Sequence, residues 1–288
     1  MVEIDFAQLS YSNQREHLAK YMADPEKRMC ANTWFREDTV DAWRHRRMYE
    51  MLDPLLTGDP GSSWLTVGDG RWGKDARYIH KKGGKVCATD ITPNLLEHAK
   101  AIGFIPEYSV ENAEKLSFAN GSYDYVLCKE AFHHFPRPMI ALYEMLRVAT
   151  KGIVLIEPND NGADGFEECG NYVYSLSRRE IVKVALALSY PCVAIKGFND
   201  CFIRGVEHEK LSAQSYLLKK TIHRIEAMDK ACREGTCDYF MLATVFFIEK
   251  PNQEVIDKLN KDGFALMELK ANPLLDKLAI SADTTSSS

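Results

Sequence analysis

The chain has 288 residues and a formal charge of -5 at neutral pH, with 45% apolar and 27% charged residues. That composition belongs to an ordinary globular protein long enough to bury a substantial core, and its acidic balance argues against a general nucleic-acid binder. No apolar run approaches the roughly 20 residues needed to span a bilayer, and the N-terminal "MVEIDFAQLSYSNQREHLAK" lacks the basic-then-apolar layout of a signal peptide, so a cytoplasmic location is expected.

From about Ser10 to Leu56 the pattern is helical and rich in charge and aromatics, closing at the turn cluster "TGDPGSS". Residues 1–58 therefore read as an N-terminal helical extension placed as a lid. Arg44, His45, Arg46 and Arg47 crowd one helix there, and arginines on a lid can clamp an anionic acceptor. The next segments alternate: "SWLTV" as strand, "KDARYIHKK" as helix, "KVCATD" as strand and "TPNLLEHAKAI" as helix, with Thr92 as the N-cap and Pro93 in the first turn.

A short strand near "PEYSV" and the runs "YDYVLCKE", "MIALYEMLRVA" and "KGIVLIEP" continue the alternation. The fold class is thus α/β, with a mostly parallel sheet and helices on both faces. Beyond Pro158 come a polar loop, a helix over 178–188 capped by Ser177, and the strand "CVAIKGF". The apolar run "FMLATVFFIEK" closes the sheet. About forty residues between those strands, 200–238, are mostly helical in period and read as an insert. The main domain then covers 59–250, and 251–288 is a C-terminal helical segment with a disordered tail. Eight cysteines occur without a C-x-x-C pair and without His at zinc-ligand spacing, so free thiols are expected and no metal.

Chemistry concentrates where strands become helices. In "VGDGRWG", Gly68 and Gly70 let the backbone turn sharply against a ligand at the start of a helix. The same stretch reads literally as a dinucleotide fingerprint, G-x-G-x-x-G. Asp69 argues against it, because a carboxylate about 4 Å from a pyrophosphate charge is repelled by roughly 4 kcal/mol at an effective dielectric near 20. A cationic ligand meets no such penalty. Asp90, ending the next strand, is placed to accept hydrogen bonds from both hydroxyls of a ribose.

Taken together, "VGDGRWG", "CATDI", "ENAEKLSF", "YDYVLCKEAFHHFPRP" and "GIVLIEP" resemble, in order and spacing, the class I S-adenosylmethionine-dependent methyltransferases of the type-11 group, which includes quinone-ring and sugar O-methyltransferases. The resemblance covers roughly residues 64–158. It implies a Rossmann-like, seven-stranded sheet with an antiparallel last strand, and S-adenosylmethionine as cofactor. It further implies that Gly68, Asp69 and Gly70 line the methionine part, Asp90 holds the ribose, Ile91 packs on the adenine, Asn112 and Ala113 contact its edge, and Lys129 lies beside the methionine moiety. Thr66, Trp72 and Asn112 depart from the family pattern, which usually has an acid, a glycine and an aspartate there.

A hydroxyl acceptor must lose its proton as it is methylated, and His133 or His134 is the candidate base, with Glu157 orienting the imidazole. Arg178, Arg179 and "NYVYS" are further acceptor-site candidates. The segments after the fifth strand resemble methyltransferases of bacterial surface polysaccharides, so a saccharide or sugar-phosphate acceptor is expected, with a quinone-like ring as the alternative. A nicotinamide-dependent oxidoreductase and a non-catalytic partner subunit are the competing classes. The partners expected are a small-molecule or glycan substrate and no nucleic acid, with a homodimer as an option.

Overall fold

The computed structural model describes residues 6–25, 33–162, 165–167 and 170–274. Strands β1 (Ser63–Val67), β2 (Lys85–Asp90), β3 (Tyr108–Val110), β4 (Tyr123–Lys129), β5 (Ala149–Pro158), β6 (Cys192–Phe198), β7 (Met241–Phe247) and β8 (Ala265–Glu268) form one sheet in the order β3-β2-β1-β4-β5-β7-β6-β8. The first five pair in parallel, and β7 lies antiparallel between β5 and β6. The expected mostly parallel α/β sheet is therefore present, with one strand more than expected. The eighth, β8, pairs antiparallel with β6. It is four residues long and alternates only weakly in burial, too little for periodicity to distinguish it from its helical surroundings.

The helices are α1 (Phe6–Ala23), α2 (Val40–Tyr49), α3 (Asp53–Gly58), α4 (Lys74–Lys81), α5 (Asn94–Ala101), α6 (Pro138–Val148), α7 (Arg178–Ala187), α8 (Tyr216–Arg233) and α9 (Gln253–Lys261). Their starts follow local chemistry. Thr39 caps α2 by accepting from the Ala42 amide, and Ser177 and Glu180 close a full capping box on α7, as its sequence suggests. Thr92 does not cap α5: Pro93 takes that place and the Thr92 hydroxyl turns to Asp90. Of the insert expected over 200–238, only α8 is helical, and the stretch before it is irregular turn. The tail expected to be disordered lies outside the described residues.

Two apolar layers sandwich the sheet. One joins Met48, Leu52, Leu55, Trp64, Ile79, Leu96 and Phe247; the other joins Phe132, Leu142, Met145, Ile181, Val193 and Phe246. The N-terminal extension thus contributes to the core through α2 and α3 as well as covering the sheet's edge. No helix among the described residues is long and apolar enough to cross a membrane. The parallel register sets Val67 beside Cys128 and Lys129 beside Ile156, so β1, β2, β4 and β5 end along one edge. Ligands of such sheets bind at that carboxyl edge.

Phe246 is fully buried near the end of β7, opposite Ile153 of β5 and Val193 of β6. Phe246→Ala should lower unfolding free energy by about 3–5 kcal/mol in urea denaturation, the range for a core aromatic truncated to alanine. A loss below about 1 kcal/mol would show that this layer is not the core.

Candidate functional site at the carboxyl edge of the sheet

The turn after β1 is held by contacts that exclude larger residues at two positions. Gly68 has φ +77°, and a Cβ there would collide with that of Ala131 beyond β4. A Cβ on Gly70 would stand 2.6 Å from Asp90 Oδ2. The Gly70 amide donates to the Asp90 carboxylate, and the Thr92 amide and hydroxyl each donate to Oδ1 at 2.9 Å. Burial pushes the Asp90 carboxyl up, opposed by those bonds. The result is a fixed acceptor group beside a backbone with no side chain in the way.

Asp69 does something other than the sequence suggests. Its carboxylate accepts from the Thr66 hydroxyl at 2.8 Å and from the amides of Asp75 and Ala76 at 3.2 and 2.9 Å, so it caps α4 from within the protein. Burial, then the neighbouring Asp75, push its pKa well up. The carboxylate is thus engaged by protein donors, and the case against a dinucleotide rests on other residues. The arrangement also explains Thr66: an acid there would crowd a third carboxylate against Asp69 and Asp75, whereas a hydroxyl donates. Trp72, at a left-handed φ of +65°, packs its ring against Phe35 and His98 with centroids 5.3 and 5.1 Å away. A bulky residue in that conformation carries backbone strain, which the packing holds in place.

Further along the edge, Ile91 and Ala113 are half-buried, and Asn112 accepts the Glu114 amide through Oδ1 at 2.9 Å. Tyr11 of α1 approaches both Asn112 and Glu114. Ile91, Asn112 and Ala113 thus sit just beyond β2 and β3, near Asp90.

Lys129 is part of a buried charged group that sequence reasoning did not assemble. Its ammonium lies 3.0 Å from Glu130 Oε2, 3.2 Å from His45 Nδ1, 3.8 Å from Asp75 Oδ1 and 5.1 Å from the centre of the Tyr49 ring. Burial, then Lys129, push the His45 pKa down, opposed by Glu130 and Asp41, and its Nδ1 lies 3.2 Å from both the Lys129 ammonium and Glu130 Oε2. For Glu130, burial raises the pKa but Lys129 and His45 outweigh it, holding the carboxylate well below its ordinary range. Glu130 itself has φ +50°. Arg44, expected to reach an acceptor, instead bonds Asp41 at 2.6 Å and chelates Asp200 ahead of α8. It latches α2 to the insert. Arg46 and Arg47 reach the carbonyls of Glu37 and Asn199.

Between α2 and the glycine turn lies a cavity of about 40 Å³ that touches Gly68, Arg71, Lys74, Asp41 and Glu130. Burial pushes the Lys74 ammonium down to about 8. Cations and carboxylates thus meet at one end of the turn, a set suited to a zwitterion.

Past β4, Glu157 gathers the opposite side of the edge. Its Oε1 accepts from the amides of Ala131 and Phe132 at 2.9 and 3.0 Å, and Oε2 accepts from His133 Nδ1 at 2.6 Å. Nδ1 being engaged, Nε2 is the ring nitrogen left for an outside hydroxyl. Burial lowers the His133 pKa, yet the Glu157 carboxylate outweighs it and the net direction is up. His134 pairs with Glu167 at 2.6 Å and is far more exposed, its ring 3.9 Å from that of His133. Arg178 and Arg179 begin α7 and line a separate groove with β6 and β8.

Comparison with known proteins narrows the reading. Residues 65–156 match the family described as a methyltransferase domain. The 2-methyl-6-phytyl-1,4-hydroquinone methyltransferase of Synechocystis is 31% identical over 170 residues, 58% of this chain and 52% of that protein. An uncharacterized protein of Mycobacterium tuberculosis is 30% identical over 145 residues, 43% of this chain and 53% of its own. The chain spans about half the length of these curated relatives. The crystal structure of magnesium protoporphyrin IX methyltransferase from Synechocystis, with bound S-adenosylmethionine, shares the fold with a TM-score of 0.50 at 12% identity, over 85% of this chain and 99% of that one. The residues fit that cofactor: a turn closed to any Cβ, a fixed carboxylate at the ribose position and mixed charges for an amino-acid tail.

The His133–Glu157 contact makes a pH-dependent contribution to stability. Because the folded pKa lies above the unfolded value of about 6.5, that contribution is complete below pH ~6.5 and fades as pH rises through the folded value. Glu157→Gln should bring the His133 titration, followed by NMR, to a lower pH than in wild type. An unmoved midpoint would mean that Glu157 does not set it.

Proposed function

Residues 65–156 place this chain among the class I S-adenosylmethionine-dependent methyltransferases, and from that premise we propose that it transfers a methyl group to the hydroxyl of a small molecule. When bound, the cofactor supplies an electrophilic methyl on a sulfonium, so the chain's own task is to position the acceptor, remove its proton and keep water out. The observation that carries the proposal is the His133–Glu157 pair at the edge that also holds the glycine turn and Asp90. His133 Nε2 accepts the hydroxyl proton, and Glu157 stabilises the resulting imidazolium through Nδ1. In this reading Asp90, Ile91, Asn112 and Ala113 hold the adenosyl part, Gly68, Asp69, Gly70 and Lys129 line the methionine part, and α2 covers the amino-acid end with Asp41 beside Arg71 and Lys74. A cavity of 40 Å³ holds about one water. The lid must therefore shift to admit the cofactor.

For the acceptor, a hydroxylated aromatic ring is favoured over the saccharide that the sequence suggests. Phe166 is 79% exposed on the loop after β5 and packs edge-on with Tyr172, and Phe240 stands bare where β7 begins beside Asn159. Flat apolar faces at the acceptor edge suit a planar ring, and the Synechocystis relative is named for a hydroquinone. Such faces also stack on sugars. Incubation with a deuteromethyl cofactor and matched quinol and glycan acceptors, read by mass spectrometry, separates the two. Label on the quinol supports the ring acceptor; label on the glycan alone moves the assignment to saccharides; label on neither, with the cofactor bound, removes methyl transfer.

Two substitutions divide the labour. Asp90→Ala should weaken S-adenosylmethionine binding by about 1.5–3 kcal/mol in calorimetry, the range for a hydrogen bond to a charged group. Unchanged affinity would remove the ribose assignment. His133→Ala should lower kcat by about 10²–10⁴-fold with cofactor affinity intact, and should abolish the rise of activity with pH that deprotonation of His133 produces in the wild type. A wild-type pH profile retained by the variant would reassign the base.

A further inference from the structure

A second groove stands apart from the cofactor edge, and what it holds is independent of the methyl-transfer reading. Helix α7, strand β6 and the edge strand β8 enclose an open groove of about 390 Å³. Val182, Ile195 and Met267 supply apolar walls, and Arg178, Arg179 and Lys183 supply three cations. None of the three donates a hydrogen bond or forms an ion pair among the described residues. The one acid on the same turn is committed elsewhere: Glu180 accepts from Ser177 through Oε2 and from the Tyr174 hydroxyl through Oε1. It offers Lys183 only a longer-range attraction.

The placement runs against ordinary helix electrostatics. Arg178 and Arg179 occupy the first turn of α7, where the aligned peptide dipoles already present positive charge and acids are preferred. Arg178 is also seated closely: its Nη2 lies 2.7 Å from where a Cβ on Gly197 of β6 would be, so the guanidinium packs on strand backbone that any other residue would block. Three like charges gathered beside an apolar wall lower their mutual repulsion when an anion joins them, and the wall gains when a hydrocarbon covers it.

We propose that this groove binds a single-chain amphipathic anion, an alkyl chain carrying a phosphate head, with the phosphate against Arg178, Arg179 and Lys183 and the chain along Val182, Ile195 and Met267. Both halves of the ligand are required by the lining. Calorimetric titration of the full chain with octyl phosphate below its micellar concentration tests it, with octyl glucoside and inorganic phosphate as single-feature probes. Octyl phosphate should bind at one site at least tenfold more tightly than either. The Arg179→Glu/Lys183→Glu double variant should lose that binding at least tenfold while keeping the thermal unfolding midpoint and circular dichroism of the wild type, which report on folding; Arg179→Ser/Lys183→Ser serves if the charge reversal perturbs the fold. Equal affinity for octyl glucoside, equal affinity for inorganic phosphate, or unchanged binding by a folded double variant would each overturn the proposal.

Discussion

The candidate site depends on one carboxylate, that of Asp90. By accepting from the Gly70 amide and from both donors of Thr92, it ties the glycine turn after β1 to the end of β2 and fixes the edge on which a nucleoside could rest. Glu157 repeats the device on the other side, gathering two backbone amides and His133. Asp69 does so a third time within the turn, capping α4. Each acid ends or follows a parallel strand, and each converts loop amides that would otherwise need solvent into fixed geometry. The groups proposed to bind and to take a proton are held by the same carboxylates that fasten the loops.

The N-terminal extension adds a different kind of constraint. Helix α2 places His45 and Tyr49 on Lys129, and its Arg44 is locked between Asp41 and Asp200. Removing one partner of such a buried pair leaves an uncompensated charge, which is strongly destabilising. The cover over the turn is therefore anchored by charge as well as by Leu52 and Leu55 in the core.

Much of this was readable from the sequence. The alternation of short apolar runs with helical segments located five parallel strands, and the Gly68–Gly70 turn, Asp90, His133 and Glu157 fall along one edge because parallel register leaves them nowhere else. What escaped was contact between distant positions. Nothing local to Lys129 announces His45, 84 residues earlier, or to Arg44 announces Asp200, 156 residues later. Orientation was equally hidden: nothing in a glycine turn announces that Asp69 also takes the amides at the start of α4, and Thr92 looks like a helix cap until its hydroxyl is found on Asp90. The weakly patterned β8 was lost for want of length.

The central claim is that an adenosyl group is gripped between the glycine turn and Asp90. A crystal structure of the chain with S-adenosylhomocysteine tests it most directly. The account predicts both ribose hydroxyls on the Asp90 carboxylate, the base between Ile91 and Asn112, and the amino-acid tail under α2. A nucleoside seated anywhere else, or an Asp90 carboxylate that makes no contact with the sugar, would contradict it.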